Sequence, residues 1–302
     1  MSPEPPPVIA IFGPTGVGKT AVALELADRL RRRGEDPVAI SADALQVYRG
    51  METLTGAATA AERARLEHRL IGFLDPSRTF SVGAFMPLAH EEIDTARASG
   101  RRPIVVGGTG LYLRAALSEL ALAPPPPPEL RERIEAELAA RGARAMHHEL
   151  RQRAPTAAAA IQPTDRTRIV RSLELLELGA EPPSTDDSDL WTEETRVPTR
   201  LFGLTMEREA LYARIDARVE AMVAAGAADQ ARRAAEAGAS RTARAALGFE
   251  DLLAGDADSM RRRTRQYAKR QLTWMRKLAG VTTIDMTGRS AREAAERIAA
   301  ES

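Results

Sequence analysis

A hydrophobic strand that runs straight into a glycine-rich turn and then a helix leaves a chain few folds to adopt. Val8 to Phe12 (VIAIF) is such a strand, and it leads into Gly13-Pro14-Thr15-Gly16-Val17-Gly18-Lys19-Thr20. A helical pattern follows and ends near Gly34. This is GxxxxGK[ST] in the strand-to-helix context that confirms a phosphate-binding loop. The glycines let successive backbone N–H groups turn inward as an anion nest, and the helix N-terminus adds its dipole. Lys19 would reach the terminal phosphates, and the Thr20 hydroxyl would be a ligand for Mg²⁺. The ligand of residues 13–20 is therefore a di- or triphosphate.

Two further strands bear on how that phosphate is used. Pro37 to Ser41 (PVAIS) leads to Asp43, and Pro103 to Val106 (PIVV) leads to Gly107-Gly108-Thr109-Gly110. In a parallel sheet these strand ends line the same carboxyl edge, where ligands bind. An NTPase commonly holds Mg²⁺ with an Asp at such an edge; here the third strand offers Gly-Gly-Thr instead. The nearest strand-end carboxylate is Asp43, which reads as a metal holder, a general base or a helix N-cap.

Charge separates whole-molecule from local readings. The 302 residues carry 43 basic and 42 acidic side chains, a net charge of +1, so the chain is not a polycation. There is no Cys, hence neither a disulfide framework nor a thiolate zinc site. No apolar run is long enough for a membrane span, and the start lacks a basic-then-apolar leader, so a soluble cytoplasmic protein is expected. The lysines are Lys19, Lys269 and Lys277 alone. Two of them lie in Met260 to Lys277 (MRRRTRQYAKRQLTWMRK), which holds eight positive charges and no acid, with Tyr267 and Trp274 interleaved. Such a stretch suits a polyanion, with phosphates neutralised and bases stacked. It reads equally as a solvated helix face whose Tyr267, Leu272 and Met275 pack inward. Arg166, Arg168 and Arg171 form a weaker cluster. Met222 and Met286 are expected in the core, and His68, His90, His147 and His148 show no metal spacing.

The run Pro124 to Pro128 marks a boundary at which neither helix nor strand continues. Beyond it Glu129–Arg141, Ala143–Arg153 and Arg166–Leu178 read as helices, and Gly179–Asp189, with Pro182, Pro183 and three Asp, reads as a loop. Residues 118–195 are thus a helical insertion. The sheet resumes near Arg200, and helices dominate from Arg208 to Lys277.

Several segments together resemble the bacterial tRNA dimethylallyltransferases, also called tRNA isopentenyltransferases. They are SADALQVYRGM (41–51), LIGFLDPSRTFSVGAF (70–85), PIVVGGTGLYLRAAL (103–117), IQPTDRTRIVRSLELLELG (161–179), RIDARVEAMVAAG (214–226), ALGFEDLLAG (246–255) and YAKRQLTWMRK (267–277). The resemblance implies an α/β fold, a P-loop NTPase-like parallel sheet flanked by helices. Its catalytic core would be 1–117 plus 196–302, and the helical insertion 118–195 would contact tRNA. It implies transfer of a dimethylallyl group from dimethylallyl diphosphate to N6 of adenosine 37, beside the tRNA anticodon. The diphosphate would lie on Gly13, Pro14, Thr15, Gly16, Val17, Gly18, Lys19 and Thr20, with Mg²⁺ at Thr20. Asp43 would be the general base, Thr109 would sit between acceptor amine and donor oxygen, and Arg214 or Arg218 would hold the diphosphate. The acceptor base must be flipped out of its stack. Asp43, Ala44, Leu45 and Gln46 would meet the tRNA, as would Thr167, Arg168, Ile169, Val170 and Arg171. Thr109, Arg131, Lys269 and Arg270 are further contacts, and Gln46 suits an adenine N6/N7 edge. A monomer is expected. Two departures stand out: residues 53–59 (TLTGAAT) replace the family's Gly-Thr-Ala-Lys run, and Ala44 stands where a Ser is common. A small-molecule kinase, a prenyltransferase for free adenine nucleotides and a non-catalytic RNA-binding module are the rivals.

Overall fold

The computed structural model describes residues 5–183 and 189–302, so residues 184–188 of the loop read over Gly179–Asp189 lie outside the described residues. Among these, six strands form one sheet: β1 (Val8–Phe12), β2 (Pro37–Ala42), β3 (His68–Arg69), β4 (Arg102–Gly107), β5 (Thr199–Thr205) and β6 (Val281–Asp285). Their order is β3-β2-β4-β1-β5-β6, and every pairing is parallel. Both faces of β1 and β2 are buried along their whole length, the environment their unbroken apolar runs require when helices cover a parallel sheet on both sides.

The register positions the site. Gly107 is the partner of Phe12 on one side and of Ala42 on the other. The residues that follow β1, β2 and β4 therefore leave the sheet side by side. They are the glycine-rich loop, Asp43, and Gly108-Thr109.

The chain divides into two compact units, one running to Glu119 and resuming at Thr192, the other Leu120–Trp191. The second unit is a helical cluster of Pro128–Arg141, Ala143–Arg153, Pro155–Ala159 and Arg166–Glu177. Ile134, Leu138, Met146, Leu150, Ile169 and Leu173 form its core. Within it Glu174 is fully buried, accepting Arg131 Nε and Nη2 at 2.7 and 2.8 Å and Arg171 Nη1 at 3.3 Å. Arg171 also donates through Nη2 to the carbonyls of Ala123 and Pro124, at 2.9 and 2.8 Å, tying down the start of the proline run.

The basic C-terminal stretch is the helix Ala257–Met275, opened by Asp256, whose side chain accepts the Ser259 N–H at 2.8 Å. Met260, Thr264, Ala268, Gln271 and Met275 recur at helical spacing as its buried face. Much of its positive charge is answered within the fold. Arg265 pairs with Asp216 and Arg261 with Glu220, both from the helix Arg208–Ala224, while Arg263 pairs with Asp251. Lys269 and Arg270 stay exposed. No helix among the described residues is long and apolar enough to cross a membrane.

Candidate active site

The loop after β1 works because two of its glycines adopt left-handed φ angles, 85° at Gly16 and 103° at Gly18, that side-chain-bearing residues rarely take. The helix Lys19–Arg32 begins directly after Gly18. A cavity of about 690 Å³ opens here, lined by Lys19 and Thr20 from the loop, by Asp43, Leu45 and Gln46 after β2, and by Gly107 and Gly108 after β4. Residues 52–60 form a further wall, and Arg218, Tyr267 and Gln271 close it.

Asp43 is held by its own turn. Its Oδ1 accepts the N–H groups of Leu45 (2.9 Å) and Gln46 (3.3 Å), so the capping role coexists with a place in the cavity. The Gln46 amide is also committed, its Oε1 accepting the Ser41 hydroxyl at 2.9 Å. Lys19 Nζ donates to the carbonyls of Gly13 and Pro14, at 2.8 and 3.0 Å. Burial, reinforced by repulsion from Arg218 and opposed by Asp43, pushes the Lys19 amine down to about 7.

Of the two candidate arginines, the structure places both beside the loop. They lie one helical turn apart on Arg208–Ala224. A Cβ at Gly18 would meet the Arg214 guanidinium at 3.1 Å. Arg218 reaches into the cavity, and its Nη2 donates to the Gly56 carbonyl at 3.1 Å while its buried Nε has no hydrogen-bond partner among the described residues. Burial lowers the affinity of Arg218 for its proton, Asp43 and Glu62 oppose that, and Arg214 adds to it. Lys19 and Arg218 thus face each other across the cavity with Asp43 between them and Arg214 behind the loop, and their mutual repulsion is what an oligophosphate relieves. The segment 53–59 carries no lysine, and at Gly56 the cation lying against it is Arg218.

Thr109 Oγ1 lies 3.1 Å from the Tyr267 hydroxyl. Burial and the nearby Asp43 raise Tyr267 to about 12, so it keeps its proton at neutral pH. Gln271 accepts the Thr15 N–H through Oε1 at 2.8 Å and donates through Nε2 to the Gly108 carbonyl at 2.7 Å. Gln271 is the residue that the charge reading of this stretch passed over, while Tyr267, expected to stack on a base or to pack inward, meets Thr109. The signal was available in the spacing: both fall on the face defined by Met260, Thr264, Ala268 and Met275, where a buried amide needs a polar partner.

The chain matches the IPP transferase family over residues 46–278, more than two thirds of its length. The chain belongs to the IPP transferase family. It is 41% identical over 293 residues to the tRNA dimethylallyltransferase of Halalkalibacterium halodurans, covering 93% of this chain and 91% of that one. It is 42% identical over 284 residues to that of Kineococcus radiotolerans, covering 90% and 88%. The solved full-length tRNA isopentenylpyrophosphate transferase of Bacillus halodurans superposes with a TM-score of 0.69 at 36% identity, over 98% of this chain and 96% of that one.

As a member of the IPP transferase family the chain departs from two expectations for its RNA-facing residues. Ile169 and Val170 are not surface groups. They are buried in the core of the helical unit, because Ile169, Val170 and Leu173 make the apolar face of Arg166–Glu177. Only Thr167 and Arg168 of that run are exposed, and Arg131 and Arg171 are engaged by Glu174. Met222 packs half-buried against the core and also lines the cavity, and Met286 is buried. The histidines bond locally: His68 to Leu66, His90 to Ala115, His147 to Ala158 and Ile161, and His148 to Arg151.

Proposed function

We infer that this enzyme is a prenyltransferase that moves a dimethylallyl group from dimethylallyl diphosphate to N6 of adenosine 37 in tRNA, releasing diphosphate. The observation that carries this reading is the juxtaposition in one cavity of an oriented carboxylate, Asp43, with a phosphate loop and the two mutually repelling cations Lys19 and Arg218. Residues 13–20 hold the diphosphate, Lys19 and Arg218 neutralise it from inside the cavity, and Arg214 flanks the loop at Gly18. The adenine amine is a weak nucleophile because its lone pair is delocalised into the ring. With Oδ1 fixed by two backbone N–H groups, Asp43 keeps its other oxygen to take the amine proton as the carbon–nitrogen bond forms. Thr109, oriented by Tyr267, bridges amine and donor oxygen.

The residues fit a magnesium ion shared with the substrate. The Thr20 hydroxyl lines the cavity, and no cluster of three or more His, Asp or Glu occurs among the described residues, so phosphate oxygens and water would complete the shell and leave Asp43 free as the base. When bound, the ion offsets charge on the departing diphosphate. Ala44, Leu45 and Gln46 meet the flipped base, while Thr167, Arg168, Lys269 and Arg270 meet the anticodon arm. The enzyme acts as a cytoplasmic monomer.

The test is a radiolabel transfer assay with dimethylallyl diphosphate, Mg²⁺ and either unmodified tRNA or AMP. Label is expected on tRNA and absent when position 37 is not adenosine. Label on AMP alone would overturn the RNA half of the reading. ATP turnover without transfer would overturn all of it.

A further inference from the structure

A phosphate loop by itself does not count phosphates, since the same sequence pattern serves di- and triphosphates alike. Here two of its amides are already taken, one of them by a side chain from a distant helix. The Thr15 N–H is given to Gln271 Oε1 at 2.8 Å, and the Val17 N–H turns back to the Pro14 carbonyl at 3.3 Å. The Gln271 amide is buried, and its other end is anchored on the Gly108 carbonyl at 2.7 Å. Both polar ends are satisfied, so the side chain is fixed in orientation as well as place. Gly108 shows how closely it approaches the lysine: a Cβ there would lie 2.4 Å from Gln271 Nε2 and 3.2 Å from Lys19 Nζ. The Gln271 amide and the Lys19 amine therefore occupy neighbouring volumes over the same backbone atom.

We propose that Gln271 is a specificity-determining residue that sets the phosphate site to two phosphates. The donors it leaves are those at the start of the helix Lys19–Arg32, together with Lys19 itself, and they serve a diphosphate that ends at the lysine. A third phosphate would need the N–H and the volume that Gln271 takes, and would leave the buried amide without its partners. Nucleotide triphosphates are thereby kept from a loop whose sequence suits them. This rests on the reading of the loop as the diphosphate site, not on the identity of the acceptor.

The experiment is calorimetric titration of the full chain with inorganic pyrophosphate and with inorganic tripolyphosphate, each with Mg²⁺. The unaltered protein is expected to prefer pyrophosphate by about tenfold or more, the worth of one charge-assisted hydrogen bond. Gln271→Ala frees the Thr15 N–H and is expected to reduce that preference to about threefold or less. Gln271→Asn, one methylene too short to span both partners, should do the same and decides the matter if the alanine variant does not fold. An unchanged preference in either folded variant overturns the proposal, as does equal affinity of the unaltered protein for the two anions. Selective pyrophosphate binding without transfer to tRNA would sink the proposed function and leave the role of Gln271 standing.

Discussion

The arginines of the cavity and those of the helical unit look alike in sequence and differ in what surrounds them. In the helical unit Arg131 and Arg171 share the buried carboxylate of Glu174, two cations satisfied by one anion and by backbone carbonyls. In the cavity Lys19 and Arg218 repel each other, with Arg214 adding to the repulsion on Arg218, and repulsion with desolvation lowers the proton affinity of both Lys19 and Arg218 although Asp43 opposes it. The first arrangement is stable as it stands. The second is poised for a polyanion. The long basic helix contains both kinds of residue: Arg261, Arg263 and Arg265 face acids of neighbouring elements, whereas Lys269 and Arg270 are exposed. Counting positive charges therefore overstates a binding surface. What matters is which charges the fold has not already answered.

Four perturbations break or sharpen this contrast. Asp43→Ala removes the carboxylate at the end of β2 and is expected to slow dimethylallyl transfer by about a hundred- to ten-thousandfold while tRNA binding persists. Single-turnover transfer and filter binding measure the two; retained turnover would remove Asp43 from the base role. Glu174→Ala does the opposite kind of damage. It leaves two arginines facing an emptied buried position and is expected to cost about 3 kcal/mol of stability, at the lower end of the range for a broken buried pair because Arg131 and Arg171 are part-exposed. Chemical denaturation reads this, and a change under about 1 kcal/mol would mean that the triad is not holding the unit together. Arg218→Ala, by contrast, should weaken pyrophosphate binding by about tenfold and leave the unfolding midpoint where it was or higher, since the deletion relieves repulsion on Lys19.

The smallest effect is a proton count. Because the folded amine of Lys19 sits at about 7, well under its ordinary 10.5, the folded state holds fewer protons than the unfolded chain between those values. The burial penalty thus grows as the pH falls through that window and is complete below about 7. A bound diphosphate raises the amine again, so binding near pH 8 should take up a fraction of a proton and weaken by less than about tenfold for each pH unit above 7. Titrations in buffers of different ionisation heat measure the uptake; a value of zero, with Lys19→Met also zero, would show that the amine is already charged.

The order of legibility follows the range over which each feature is determined. The phosphate loop was readable because its geometry depends on adjacent residues: glycines at the left-handed positions, a strand before and a helix after. The parallel sheet flanked by helices followed from the family resemblance and is what the strand pairings show. The inward face of Arg166–Glu177 was also written in the spacing of Ile169, Val170 and Leu173, and was obscured only because the basic residues between them drew the reading.

Other features lay beyond any local pattern. Gln271 meets Thr15 across 256 residues, Tyr267 meets Thr109 across 158, and Arg265 meets Asp216 across 49. Which charges are neutralised, and which polar side chain closes the phosphate nest, is decided only when helices pack on the sheet and set those partners within hydrogen-bond distance. Hydrogen bonds and ion pairs act over a few ångströms, so they register the tertiary arrangement and not the order of residues along the chain. The sequence by itself determined the chemistry on offer, a phosphate loop with a carboxylate at the end of the next strand in chain order. The tertiary structure decided that β2, β4 and β1 lie side by side, that this carboxylate and that loop share one cavity, and which of the many arginines stand ready to meet a phosphate.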